Sequence, residues 1–180
     1  MVDFTGNLRT SAAELVIEYR LANRGTDPIY VAHVAMDVTS RQYANKAYAA
    51  LSADGRRLDL LLGGSPLPLD REVECAVSAL FIRVPAQQGI TGEVRMDVPV
   101  LEWNGYFPPR DDIDTDPAAV REVVLTIETI AQSAATFVQE IAQLPGHFWV
   151  VGPVQATLLR FTPTATVPVR KRRGDAFPRS

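Results

Sequence analysis

The sequence predicts an all-β protein built as a two-sheet sandwich, with one short helix near 133–144 as the exception. Three observations carry that expectation. Apolar and polar residues alternate at period two in one stretch after another, the spacing of half-buried strands. Gly, Pro, Asn and Asp separate those stretches at short intervals, as turns require. No series of helical segments is present to carry parallel crossovers, so antiparallel pairing is expected.

Taken in order, residues 14–21 place Leu15, Ile17, Tyr19 and Leu21 on one face and Glu14, Glu18 and Arg20 on the other. The run stops at Asn23–Pro28, where Gly25 permits positive φ and Pro28 cannot donate to a ladder. Residues 29–38 resume as a strand that is apolar on both faces. Asp54-Gly55 marks a turn between 47–51 and 56–62, and Leu58, Leu60 and Leu62 alternate after it. Residues 72–84 read as one strand, with Val73, Cys75, Val77, Ala79 and Phe81 on a common face up to Pro85. Residues 93–101 follow with Val94, Met96, Val98 and Val100 inward, and β-branched residues dominate 120–130. Short strands are expected at 148–151 and 155–161, then an extended run over 162–169. The segment 133–144 reads two ways. Ser133 fits a helix cap with Phe137, Ile141 and Leu144 on one helical face, yet the same residues also alternate; the helix is the preferred reading. The expected core holds Leu15, Ile17, Tyr19, Leu21, Val77, Phe81, Val94, Met96, Leu125 and Ile127.

Size and composition bound what such a protein can do. With 180 residues, 47% of them hydrophobic and 22% charged, the chain is expected to form one domain over 1–169, followed by a basic tail at 170–180. A formal charge of −3 argues against a basic nucleic-acid footprint, so no nucleic-acid partner is expected. The longest apolar runs fall far short of the ~20 residues of a membrane helix, so no membrane span is expected. A single cysteine, Cys75, excludes an intrachain disulfide and suits a reducing compartment. No basic-then-apolar leader opens the chain, and a cytoplasmic location is the expectation. Lys46 and Lys171 stand against sixteen arginines, which with the abundant Ala and Pro suggests a GC-rich bacterial coding bias.

The pattern Leu15-x-Ile17-x-Tyr19-x-Leu21-x-Asn23-x-Gly25-x-x-Pro28-Ile29-x-Val31 resembles the first hairpin of many bacterial immunoglobulin-like domains. The resemblance covers about the first fifth of the chain. It implies an immunoglobulin-like β-sandwich and, by way of function, an adhesion, partner-binding, inhibitor or accessory module. It transfers no functional residue, and the Cys…Trp…Cys core of antibody-type domains is absent.

Reactive side chains are scarce. Cys75 alternates with Val73 and Val77 inside an expected strand, which points to a buried, inert thiol. His33 and His147 lie far apart in sequence without metal-ligand spacing. No glycine loop for phosphates and no nucleophile elbow is present. The best binding candidate is the irregular stretch 102–117, where Trp103, Asn104, Tyr106, Phe107 and Arg110 gather aromatic area and hydrogen-bonding groups. Packing of the same aromatics as anchors for a long loop is the alternative use of them. Asp112, Asp114 and Asp116 supply oxygens at positions 1, 3 and 5 of a calcium loop, but Pro117 and Val123 stand where Gly and Glu are needed. The expected function is therefore a non-enzymatic binding or structural module with a protein partner or a second copy of itself. Carbohydrate or calcium binding through 102–117 is the alternative, and a hydrolase using the acidic loop is a second. No cofactor is expected, calcium excepted.

Overall fold

The computed structural model describes residues 1–37, 42–67, 72, 77–106 and 116–171. Fifteen strands are present among them: β1 (Val2–Thr10), β2 (Glu14–Asn23), β3 (Ile29–Asp37), β4 (Gln42–Ala44), β5 (Tyr48–Leu51), β6 (Arg57–Leu62), β7 (Leu80–Val84), β8 (Gly89–Asp97), β9 (Val100–Leu101), β10 (Ala118–Val120), β11 (Glu122–Ala131), β12 (Phe137–Glu140), β13 (His147–Val151), β14 (Gln155–Phe161) and β15 (Val167–Arg170). The all-β class holds. The strands form three hydrogen-bonded sheets where the sequence predicts two: β1-β2-β8, β10-β15-β9, and a nine-stranded sheet centred on β11.

β11 organises the large sheet. Val123 to Thr129 pair antiparallel with β14 along one edge. On the opposite edge Glu122 to Ile127 pair parallel with β6, and Thr129 to Ala131 pair antiparallel with β3. Two outer arms then extend the sheet, β5 beyond β6 and the series β7, β13, β12 beyond β3. The expectation of purely antiparallel pairing fails at β6–β11 and at β9–β15. Among the described residues no helix carries these crossovers; the 59 residues between β6 and β11 contain other strands instead, which gives the chain room to return in the same direction. One core cluster joins all three sheets, including Leu15, Ile17, Val31, Leu60, Phe81, Val94, Leu125, Ile127 and Val169. Every residue of the expected core is buried.

Residues 14–23 and 29–37 are strands as expected, but they do not form a hairpin. β2 pairs with β1 and β8, whereas β3 pairs with β7, β11 and β4. Asn23 is the reason the chain turns a corner between sheets. Its amide Nδ2 donates to the carbonyls of Asp27 (2.8 Å) and Pro85 (3.1 Å), and its Oδ1 accepts the Gly25 N–H (3.0 Å). The partner of β2 on that side is β1, where Val2, Phe4 and Leu8 alternate with polar residues and only Gly6 interrupts the apolar face.

The helix expected near 133–144 is absent. A single 3-10 turn at Gln132–Ala134 leads instead into β12, whose Phe137 and Gln139 face Val151 and Trp149 of β13. Gly146 closes this hairpin at φ 78°, and its N–H donates to Glu140 Oε1 at 2.8 Å. A residue that tolerates the left-handed region at the right place selected the strand reading of an ambiguous pattern. The long strand expected over 72–84 is shorter: it begins at Leu80, and Val73 and Cys75 lie outside the described residues.

Two stability predictions follow from buried polar groups. Replacing Asn23 with Ala leaves the Asp27 and Pro85 carbonyls without their donor. Unfolding free energy should fall by about 2 kcal/mol, a loss that a denaturant titration would measure. Glu128 is half-buried and its Oε2 accepts the Gly64 N–H at 2.7 Å. Burial raises its pKa above the ordinary 4.5, against the weaker opposing pull of the Gly64 bond. The folded chain thus holds this proton more tightly than the unfolded chain, and the group subtracts stability as pH rises from 4.5 through the raised folded value. Glu128→Gln keeps an acceptor for Gly64 without the charge. Its melting temperature should match that of the parent in acid and exceed it at neutral pH.

Candidate functional site

The outer face of β5, β6, β11 and β14 forms the floor of a cavity of about 340 Å³. Strand register aligns two rows of side chains across it. Tyr48, Leu61, Thr126 and Leu158 make one row, and Ala50, Asp59, Val124 and Arg160 make the other. The opposite face of the same strands supplies Leu58, Leu60, Leu62, Leu125 and Ile127 to the core, so the period-two alternation that builds the core also builds the floor.

The wall comes from Trp103 and Asn104, held in a strap of residues 102–106. Trp103 extends the sheet beyond β5 by a two-way bridge with Ala49, its N–H donating to Ala49 O (2.8 Å) and its C=O accepting from Ala49 N (2.7 Å). Four further contacts tie the segment down. Fully buried Glu102 accepts the Leu51 N–H at 2.7 Å, and Gly105 N–H donates to Ser65 Oγ at 3.0 Å. Tyr106 accepts the Val77 N–H through its hydroxyl at 2.8 Å, and Tyr106 N–H donates to Asn104 Oδ1 at 3.0 Å. Gly105 has to be glycine here: a Cβ would sit 2.8 Å from Val77 Cγ1 and 3.0 Å from the Met36 carbonyl. The strap folds over Tyr48, whose hydroxyl bonds the Met36 N–H (3.2 Å) and C=O (3.1 Å) and whose ring lies 5.0 Å from that of Trp103 at a 38° tilt.

Of the residues expected to bind ligand, Trp103 and Asn104 line this cavity, while Tyr106 anchors the strap. Phe107 and Arg110 lie outside the described residues, as do the metal candidates Asp112 and Asp114; Asp116 is described and exposed. Among the described residues no three His, Cys, Asp or Glu side chains gather as a metal site. Asn104 is the unusual member. It is 1% exposed, and its Nδ2 has no hydrogen-bond partner among the described residues. Native structures hold few such groups, since each costs about 1–3 kcal/mol.

Charge borders the floor in two ion pairs. Arg57 grips Asp59 through two bonds, Nε to Oδ1 at 2.8 Å and Nη2 to Oδ2 at 3.0 Å, and this pairing pushes the guanidinium pKa further up. Arg160 pairs with Glu122 at 2.7 Å. The cavity therefore presents an apolar floor, two aromatic rings and a charged margin, with one orphan amide donor buried in its wall. Leu61, Thr126, Leu158 and Arg160 had no sequence signal as site residues, because only the register of four strands brings them together.

A second cleft holds the two histidines of the chain. His33 (β3) and His147 (β13) stand with ring centroids 5.7 Å apart, tilted by 38°. His33 Nδ1 lies 3.3 Å from the Tyr19 hydroxyl. Burial foremost, and then the nearby His147, lowers the His33 pKa. Burial pushes the Tyr19 phenol up. The sequence reading had no ground to join two residues more than a hundred positions apart.

No helix among the described residues is long and apolar enough to cross a membrane. Comparison with protein-family models, curated proteins and solved structures finds no match for this chain.

Proposed function

We propose that the protein is a non-enzymatic binding module whose site is the Trp103 cavity, and that the ligand is a small carbohydrate. The observation that carries this reading is the Asn104 Nδ2 donor, buried and unpartnered beside Trp103 in the cavity wall. A ligand hydroxyl that accepts from it, once the Asn104 side chain turns toward the cavity, removes a standing cost of about 1–3 kcal/mol. The rest of the lining suits a sugar ring. An apolar C–H face has Trp103 and the Leu61–Val124 floor to lie against, and hydroxyls at the ring edge have the Arg57–Asp59 fork and Arg160. An immunoglobulin-like sandwich remains the proposed scaffold, supported by the single core that β1-β2-β8 shares with the large sheet.

Calorimetric titration with a panel of mono- and disaccharides tests the reading. At least one sugar should bind and raise the melting temperature. Trp103→Ala and Asn104→Ala should each weaken binding about tenfold or more. Leu158 is 55% exposed, so Leu158→Glu should leave the fold intact while blocking the floor. Absence of any shift at saturating sugar, or binding that survives Leu158→Glu, refutes the proposal.

Self-association is favoured by a separate observation. β12 is hydrogen-bonded to β13 alone among the described residues, and this edge hairpin exposes Phe137 (49%), Trp149 (42%) and Val151 (58%). Exposed apolar residues next to an unpaired strand edge invite pairing with a second copy. Light scattering should show a dimer that Val138→Lys converts to monomer; a monomer at every concentration removes this reading.

A further inference from the structure

We propose that His33 and His147 form a site for a divalent transition-metal ion of the zinc, nickel and copper class, bound through the Nε2 atoms of both imidazoles. Three observations meet here. The first is position. β3 and β7 pair regularly from Ile29 to Ala32, then the register shifts by one residue between Ala32 and Val34, which leaves His33 as the extra residue of a bulge. A bulge re-aims the side chain it carries and is frequent beside functional sites. The re-aimed His33 lies at the meeting of two clefts, and the larger one, about 920 Å³, also contains His147.

The second observation is the state of the rings. His147 Nδ1 is 3.4 Å from the Pro145 carbonyl, an oxygen that only accepts, so the tautomer that makes this bond leaves the lone pair on Nε2. His33 Nδ1 lies within hydrogen-bond distance of the Tyr19 hydroxyl, which can donate or accept; in the tautomer where Tyr19 accepts, His33 Nε2 holds the lone pair, and it has no partner among the described residues. An imidazole whose other nitrogen donates to a carbonyl or hydroxyl has the arrangement that orients metal-ligating histidines.

The third observation is spacing. Two imidazoles sharing one tetrahedral ion at about 2.0–2.1 Å place their ring centroids ~5 Å apart. The observed centroid separation of 5.7 Å is close to that value. Imidazole pairs select zinc, copper and nickel over calcium and magnesium, which prefer oxygen. With no third His, Cys, Asp or Glu beside them among the described residues, water completes the coordination shell, and the ion exchanges readily. Its structural effect is to fasten the β12–β13 hairpin to β3.

Calorimetric titration of the untagged full chain with zinc chloride at neutral pH tests the assignment, with the melting temperature as a second readout. One ion per chain is expected, with a rise in melting temperature that chelator reverses and with no displacement by calcium. His147→Ala, in the exposed edge hairpin, should weaken binding at least about tenfold without loss of folding, and His33→Gln should do the same. No heat and no thermal shift up to millimolar zinc overturns the proposal. So does full zinc binding by the double variant, which would place the ion elsewhere. Sugar binding at the Trp103 cavity is independent of either outcome.

Discussion

Everything in the large sheet hangs on the two-sided pairing of β11. Its residues 123–127 are held by β14 on one edge and β6 on the other, and its last turn of ladder passes to β3. A strand paired on both edges leaves no backbone group unsatisfied, and its two faces are then free to serve different ends. Inward, Val123, Leu125 and Ile127 fill the core; outward, Val124 and Thr126 form the middle of the cavity floor. The candidate site thus rests on the most constrained element of the fold, where small movements are resisted by neighbours on four sides.

Rigid support also explains how an orphan donor is tolerated. Asn104 sits in a strap fixed through Leu51, Ala49, Ser65 and Val77, which are contributed by three separate stretches of chain. Turning Nδ2 toward the cavity costs the Tyr106 N–H bond to Asn104 Oδ1, a loss comparable to the one unmade bond the amide carries until a ligand accepts from it. The unpartnered amide persists because its surroundings hold it in place.

How far the sequence reveals this arrangement depends on the range of the information. Alternation is local, so β2, β3, β5, β6, β11 and β14 and the buried faces of Leu15, Ile17, Val94 and Leu125 were readable from neighbours alone, whereas the single strand expected over 93–101 is divided between β8, which spans Gly89–Asp97, and β9 in another sheet. The Asp54-Gly55 turn was equally plain. Residues 133–144 satisfied two periods at once, and only the cross-strand partners Trp149 and Val151 decide between them. Pairing itself was not readable: the corner at Asn23 looks like a hairpin turn until the carbonyl of Pro85, sixty-two positions away, is placed against it. The site followed the same division. Trp103 and Asn104 were visible as an aromatic and amide cluster, whereas Leu158, Arg160 and the meeting of His33 with His147 exist only through long-range register.

That long-range register sets the order in which the molecule can be completed during synthesis. β6 emerges from the ribosome sixty residues before β11, and β9 waits still longer for β15. The outer edge of β11 is covered only when residues 155–161 have appeared. Until then a strand rich in valine and isoleucine presents an open ladder, with the apolar floor of the cavity beside it. Such species are the ones that chaperones hold and that aggregate when they are not held. The C-terminal strands, short and half-exposed in the finished protein, are therefore what seal it.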